Sequence, residues 1–184
     1  MTEYQQSQQY QRQLSIGKES EKFVAKLLEK YNPDFKCVFP KDNGLPFKDY
    51  DFKIVHKVTG KGKKIEVKFD KVAIAKAKER QQKSTKKDQP LSVNLFIEFF
   101  NPVDMYASKL PVSRADTIAY VLEEWNQILM LDHKRLVKYI STVYKNNRYF
   151  PVASNKTETH GLGFLIPMIE LEMTKVITRL YQWD

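Results

Sequence analysis

A chain of 184 residues with a formal net charge of +9 suits one globular domain and is long enough to bury a core. Its 42% hydrophobic and 12% aromatic content is too apolar for a disordered chain, yet no apolar run reaches the roughly 18–20 residues of a membrane span, so a soluble protein without membrane association is expected. The single Cys37 excludes an internal disulfide, and three scattered histidines give no zinc spacing, so any metal is expected to be a hard ion held by carboxylates, Mg²⁺ or Mn²⁺.

Residues 1–14 carry six glutamines and little apolar pattern, which predicts a loosely held arm or an irregular start of the first helix. They lack the charged start and apolar stretch of a secretion signal, which fits a cytoplasmic protein, in the host cytoplasm if phage-encoded. From Ile16, the positions Phe23, Val24, Leu27, Leu28 and Tyr31 recur at helical spacing until Asn32-Pro33 stops the run. Phe35 to Phe39 and Tyr50 to Val55 are short β-branched or aromatic runs and predict two strands around a Pro- and Gly-bearing turn. Gly60-Lys61-Gly62 predicts a hairpin turn into Lys64 to Phe69, where Ile65, Val67 and Phe69 alternate toward one face.

The next segment changes character. Residues 61–88 hold eleven Lys or Arg against four Asp or Glu, and the stretch of about 71–90 is expected to be a mobile basic loop in which Ala73, Ala75 and Ala77 support some helix. Its Lys71, Lys76, Lys78, Arg80, Lys83, Lys86 and Lys87 are candidates for nucleic-acid binding, because phosphate contacts supply most non-specific affinity. Ser92 to Phe100 is the most apolar run and predicts a central strand with Glu98 as its only charge. Ala115, Ile118, Leu122 and Trp125 fit one helix face, Gln127 to Leu131 a strand, and Asp132 the cap of a helix from His133 to Tyr144. After a polar stretch, Leu162 to Ile166 and a helix opened by Pro167 end the pattern, leaving residues 15–184 as one domain.

Chemistry concentrates in Glu66-Val67-Lys68. Strand alternation puts Glu66 and Lys68 on the same face, about 6.5–7 Å apart at Cα, where both reach one phosphate and its metal. Asp51 lies in the strand joined to this one by the hairpin, so antiparallel pairing brings its carboxylate beside Glu66. Phosphodiester hydrolysis requires such a set: two carboxylates for a divalent metal and a cation near the developing charge. Glu-x-Lys alone is a generic pattern, whose bland equivalent is an exposed strand with an ion pair.

Asp51-Phe52-Lys53-Ile54 followed by Ile65-Glu66-Val67-Lys68-Phe69-Asp70, in the order helix, strand, strand, turn, strand, resembles the PD-(D/E)xK nuclease superfamily over roughly residues 16–131. That superfamily includes type II restriction enzymes, archaeal Holliday-junction resolvases and many phage and repair nucleases. The resemblance implies a restriction-endonuclease-like α/β fold, an αβββαβ core whose central mixed sheet is flanked by helices, with a C-terminal α/β extension. It implies that Asp51 and Glu66 are metal ligands, that the Val67 carbonyl completes the coordination, and that Lys68 orients the attacking water or stabilises the transition state. The family's proline before the aspartate is absent, since Tyr50 stands there, which leaves Asp49 as a competitor.

Many such nucleases add a glutamate from the first helix, and Glu21 fits better than Glu19 because it borders the apolar stripe. Glu98 is a further catalytic candidate, on a strand following Glu-x-Lys as in phage-type members, or else a structural partner of Lys68. The expected activity is a Mg²⁺-dependent deoxyribonuclease, an endonuclease rather than an exonuclease. DNA, branched DNA included, is the expected partner, and a homodimer stays open because paired cuts need two active sites. The alternative is a catalytically inactive nucleic-acid-binding module or phage accessory protein on the same fold. Gly60-Lys61-Gly62-Lys63 is too short for a nucleotide-binding loop, and His56, His133 and His160 lack a nucleophile elbow.

Overall fold

The computed structural model describes residues 3–40, 50–70, 73–84, 91–101, 106–107, 113–146, 148, 152–153 and 162–184. Helix α1 (Glu3–Tyr31) takes in most of the glutamine-rich stretch, which is thus the start of the first helix. Its last turns bury Val24, Ala25, Leu27 and Leu28, and the Asn32 amide donates to the Leu28 carbonyl before the chain turns at Pro33. Strands β1 (Phe35–Val38), β2 (Phe52–His56) and β3 (Gly62–Asp70) follow as two antiparallel pairs. The hairpin turn between β2 and β3 is held by Gly60 in the left-handed region, φ 69°, and by the His56 Nδ1, which accepts from the Val58 and Thr59 amides.

Beyond β3 the structure departs from three sequence expectations. The basic segment is not one mobile loop: Ala73–Lys83 form helix α2, because Ala73, Ile74 and Ala77 make a buried stripe at helical spacing. Strand β4 (Asn94–Asn101) is not central to the main sheet; with β5 (Tyr106–Ala107) it belongs to a second sheet. Ala115 to Leu122 is not a helix either, since Thr117–Leu122 form strand β6. All six residues of β6 are buried, Ile118, Tyr120 and Leu122 in one core and Ala119 and Val121 in the other, so the run shows no period-2 signal.

A single 3-10 turn at Glu123–Trp125, closed by Asn126 at φ 52°, leads into β7 (Gln127–Asp132). Asp132 caps helix α3 (His133–Lys145) by accepting from the Arg135 amide, as its sequence position implies. The remaining elements are β8 (Val152–Ala153), β9 (Leu162–Pro167), the short α4 (Met168–Met173) after Pro167, and β10 (Ile177–Gln182). The tail strand β10 has no counterpart in the sequence reading.

The main sheet has the order β1-β2-β3-β6-β7-β10 and is mixed, with β3 and β6 parallel and the other pairs antiparallel. The second sheet, β5-β4-β9-β8, is antiparallel throughout. One face of the main sheet, with Phe52, Ile65, Ala119 and Ile128, packs on α1. The other, with Ile118, Tyr120, Leu129 and Leu131, packs on α2, α3 and the second sheet through Ile74, Leu136, Leu95 and Phe164. The chain is thus an α/β protein with a six-stranded mixed central sheet flanked by helices. No helix among the described residues is long and apolar enough to cross a membrane.

Candidate active site

The site forms where β2 begins beside the middle of β3. The Asp51 amide donates to the Ile65 carbonyl at 2.9 Å, and the Phe52 Cα is paired with Ile65, so Asp51 is held one step before the strand proper. Tyr50, which stands where the resemblance would place proline, lies under two ammonium groups, Lys53 at 5.5 Å and Lys64 at 5.2 Å from its ring centre. From that anchored position the Asp51 Oδ2 accepts from the Val67 amide at 2.6 Å. The Asp51 carboxylate thereby meets the peptide link between Glu66 and Val67, replacing a ladder bond that β2 no longer supplies.

Both backbone groups of Lys64 bond toward β6, through Asp116. Alternation then directs the amide groups of Ile65, Val67 and Phe69 toward β2. The Val67 carbonyl therefore points to the side from which Asp51 approaches. Glu66 pairs in register with Ile118, Lys68 with Tyr120, and neighbours in a ladder share a face. Glu66 and Lys68 accordingly lie on the face opposite α1, while Ile65 is packed beneath that helix.

Glu66 is 4% exposed, an expensive place for a carboxylate. Its Oε1 lies 3.2 Å from the Lys68 ammonium, whose side chain is 40% exposed, and its Oε2 has no partner among the described residues. A buried carboxylate on the strand face that Asp51 adjoins, with the Val67 carbonyl directed toward Asp51, offers hard oxygens of the kind Mg²⁺ accepts while keeping several waters. No group of three or more His, Cys, Asp or Glu side chains that could hold a metal assembles among the described residues.

The other candidates are distributed unequally. Cys37 donates its amide to Glu29 at 2.5 Å and lies 3.5 Å from the Ala25 carbonyl, and Phe39 stacks near Phe52, so earlier turns of α1 run toward the Asp51 end of the sheet. Half-buried Glu21 sits one turn before Ala25 in that direction, on the helix covering the face opposite Glu66. Glu98 is on β4, register-paired with Gly163 in the second sheet, on the strand face opposite the core residues Leu95 and Ile97. Among the basic residues, Lys76, Lys78, Arg80 and Lys83 lie on α2, with Lys78 paired to Glu124, Lys83 to Glu79, and Arg80 donating to the Ser92 carbonyl. Lys71, Lys86, Lys87 and Asp49 fall outside the described residues.

Sequence reasoning assigned no role to Asp70 and read Tyr120's segment as helix. The Tyr120 hydroxyl donates to the Asp70 Oδ2 at 2.7 Å and is met by the Phe96 amide at 3.2 Å, while the Asp70 Oδ1 accepts from the Ala73 amide that opens α2. Burial, and next the charge and hydrogen bond of Asp70, hold the Tyr120 hydroxyl protonated well above the ordinary tyrosine range. Its sequence signal was only a tyrosine inside an apolar run. No family model, no curated protein and no solved structure matches this chain.

Proposed function

We propose that this chain is a Mg²⁺-dependent nuclease that hydrolyses phosphodiester bonds in DNA as an endonuclease, with Asp51, Glu66 and Lys68 as its catalytic set. The reading is carried by the hydrogen bond from the Val67 amide to the Asp51 carboxylate, which brings Asp51 to the Glu66-Val67-Lys68 strand from 16 positions away and so supports the PD-(D/E)xK reading. The order α1-β1-β2-β3-α2-β6, with β6 parallel to β3 and β4–β5 inserted, also fits the αβββαβ core of that superfamily.

In this reading Asp51, Glu66 and the Val67 carbonyl would hold the ion, which when bound would lower the pKa of water and neutralise charge on the scissile phosphate. Lys68 would reach from the same face to orient the attacking water and offset charge on the phosphate. The water oxygen forms the new P–O bond as the bond to the leaving oxygen breaks, the water's proton passing to solvent and the leaving oxygen taking a proton from solvent. Burial of Glu66 keeps bulk water from competing for its oxygens. Glu21, on the helix that covers the opposite face, would add a carboxylate only around the Asp51 end of the sheet, toward which the earlier turns of α1 run.

The test is cleavage of labelled branched, duplex and single-stranded DNA with Mg²⁺, Mn²⁺ or chelator, alongside Glu66→Ala and Lys68→Ala. Cleavage should require metal and fall by about two to three orders of magnitude in each variant, the usual loss when a charge-stabilising group is removed. Wild-type protein that binds DNA but cuts none of the substrates under either metal would sink the catalytic reading in favour of a binding module.

A further inference from the structure

On the sheet face remote from Glu66, α1 presents two parallel rows of side chains. Lys18, Lys22, Lys26 and Lys30 recur every four residues, all exposed, and none makes an ion pair with a described residue. Each step advances about 6 Å along the axis and turns about 40°, so the four form one slanting ridge. The adjacent ridge is Glu19, Phe23, Leu27 and Tyr31, in which Phe23 and Tyr31 are 39% and 44% exposed. Lys26 and Lys30 stand three residues after Phe23 and Leu27, as direct neighbours on the helix surface. Glu19 is the one acidic member, at the far end.

Strand β10 widens the aromatic row. Trp183 meets Phe23 in a T-shaped contact at 5.1 Å, and Tyr181 lies 5.4 Å from Tyr31. The Tyr31 hydroxyl donates to the Gln182 carbonyl, and the Trp183 amide donates to the Asn126 carbonyl at 3.0 Å, so the rings are held on ordered backbone. Arg179 adds a cation 5.6 Å from the Tyr181 ring centre. Trp183 and Tyr181 are half-buried against the α1-side core, while Phe23 and Tyr31 are the exposed rings of the group.

We propose that this α1–β10 surface binds single-stranded nucleic acid, with Phe23, Tyr31 and Trp183 stacking on bases and Lys26, Lys30 and Arg179 contacting the backbone phosphates. Exposed Phe23 and Tyr31 rings, with half-buried Trp183 at their edge, beside a lysine ridge that makes no ion pair among the described residues, match a strand whose bases are free to stack, and a duplex offers the phosphates without the ring faces. A purely apolar partner would leave the lysines unanswered. The proposal shares a nucleic-acid partner with the nuclease reading but uses none of its catalytic residues.

The test is tryptophan emission of the full chain titrated, in chelator, with oligothymidylate, with duplex DNA and with inorganic polyphosphate. Trp183 and Trp125 are the only tryptophans, each half-buried at the edge of a different core, so the Trp183→Phe variant is what assigns the signal. Oligothymidylate should quench emission where polyphosphate does not, and Trp183→Phe should abolish the quench. Lys26→Gln with Lys30→Gln, both exposed and so harmless to folding, should weaken binding by about tenfold at low salt and flatten its salt dependence. Absence of quenching, equal quenching by polyphosphate, or a quench that survives Trp183→Phe overturns the proposal. So does concentration-dependent dimerisation lost in Phe23→Ala without oligonucleotide binding, which would make a second copy the occupant. Quenching without metal-dependent cleavage would keep this surface and sink the nuclease reading.

Discussion

The structural and the proposed catalytic task of Asp51 can be separated by substitution. Its carboxylate accepts from the Val67 amide, and in the proposed site its charge helps Glu66 hold the ion. Asparagine keeps an acceptor oxygen and removes the charge; alanine removes both. Asp51→Ala is expected to cost about 1–3 kcal/mol of unfolding free energy, the usual penalty for an abandoned backbone donor, and Asp51→Asn much less, by denaturant titration, while both lose cleavage. Loss of cleavage in Asp51→Ala with full activity in Asp51→Asn would reduce Asp51 to a structural brace. The placement of the three proposed residues was legible because strand period and hairpin agree around Asp51, Glu66 and Lys68. The contact that joins them was not, because a side chain standing in for a ladder bond leaves no trace in periodicity. Cys37 follows the same logic of burial: its thiol is pushed up to about 12, chiefly by burial and then by the nearby Glu29 charge.

At the scale of elements, the sequence was readable wherever one face of an element is wet. α1, the β2–β3 hairpin and the Asp132-capped α3 all keep a polar side, and their periods show; β7 is buried on both faces from Ile128 to Leu131 and is legible only as a short apolar run bounded by Gln127 and Asp132. β6 is buried on both faces and its period is erased, and α2 is masked by lysines around a stripe of only Ala73, Ile74 and Ala77. β4 was placed in the wrong sheet because an apolar run says that a strand is buried, not against what. The Tyr120–Asp70 link ties these misread pieces together, since one hydroxyl joins β6 to β3 and to the β4 backbone, and Asp70 also opens α2. A tyrosine whose folded pKa is raised contributes stability that is complete below its unfolded value, near 10, and is lost as pH rises toward the folded value. Wild type should therefore lose stability above about pH 10, and Tyr120→Phe should show a shallower alkaline decline while being about 1–3 kcal/mol less stable at neutral pH. Parallel alkaline curves for the two proteins would remove the link.

Across the whole molecule, lysine- and arginine-bearing ridges on two helices, α1 and α2, lie on opposite faces of the main sheet. α2 lies on the Glu66 and Lys68 face, where Lys76, Lys78, Arg80 and Lys83 can follow a duplex backbone near the site; α1 lies on the other. The pairs Lys78–Glu124 and Lys83–Glu79 are exposed and weak, so phosphates can displace the carboxylates at small cost. Each phosphate contact contributes roughly 0.9 to the slope of log affinity against log salt for duplex DNA. Neutralising the four α2 cations together should then lower the duplex slope by up to about 3–4 and leave oligothymidylate quenching of Trp183 intact, whereas Lys26→Gln with Lys30→Gln should do the reverse. The measurement is duplex and single-strand affinity over a salt series in chelator. If both sets lowered both slopes equally, the two helices would be acting only as a diffuse positive field, and the division of labour between the faces would fall.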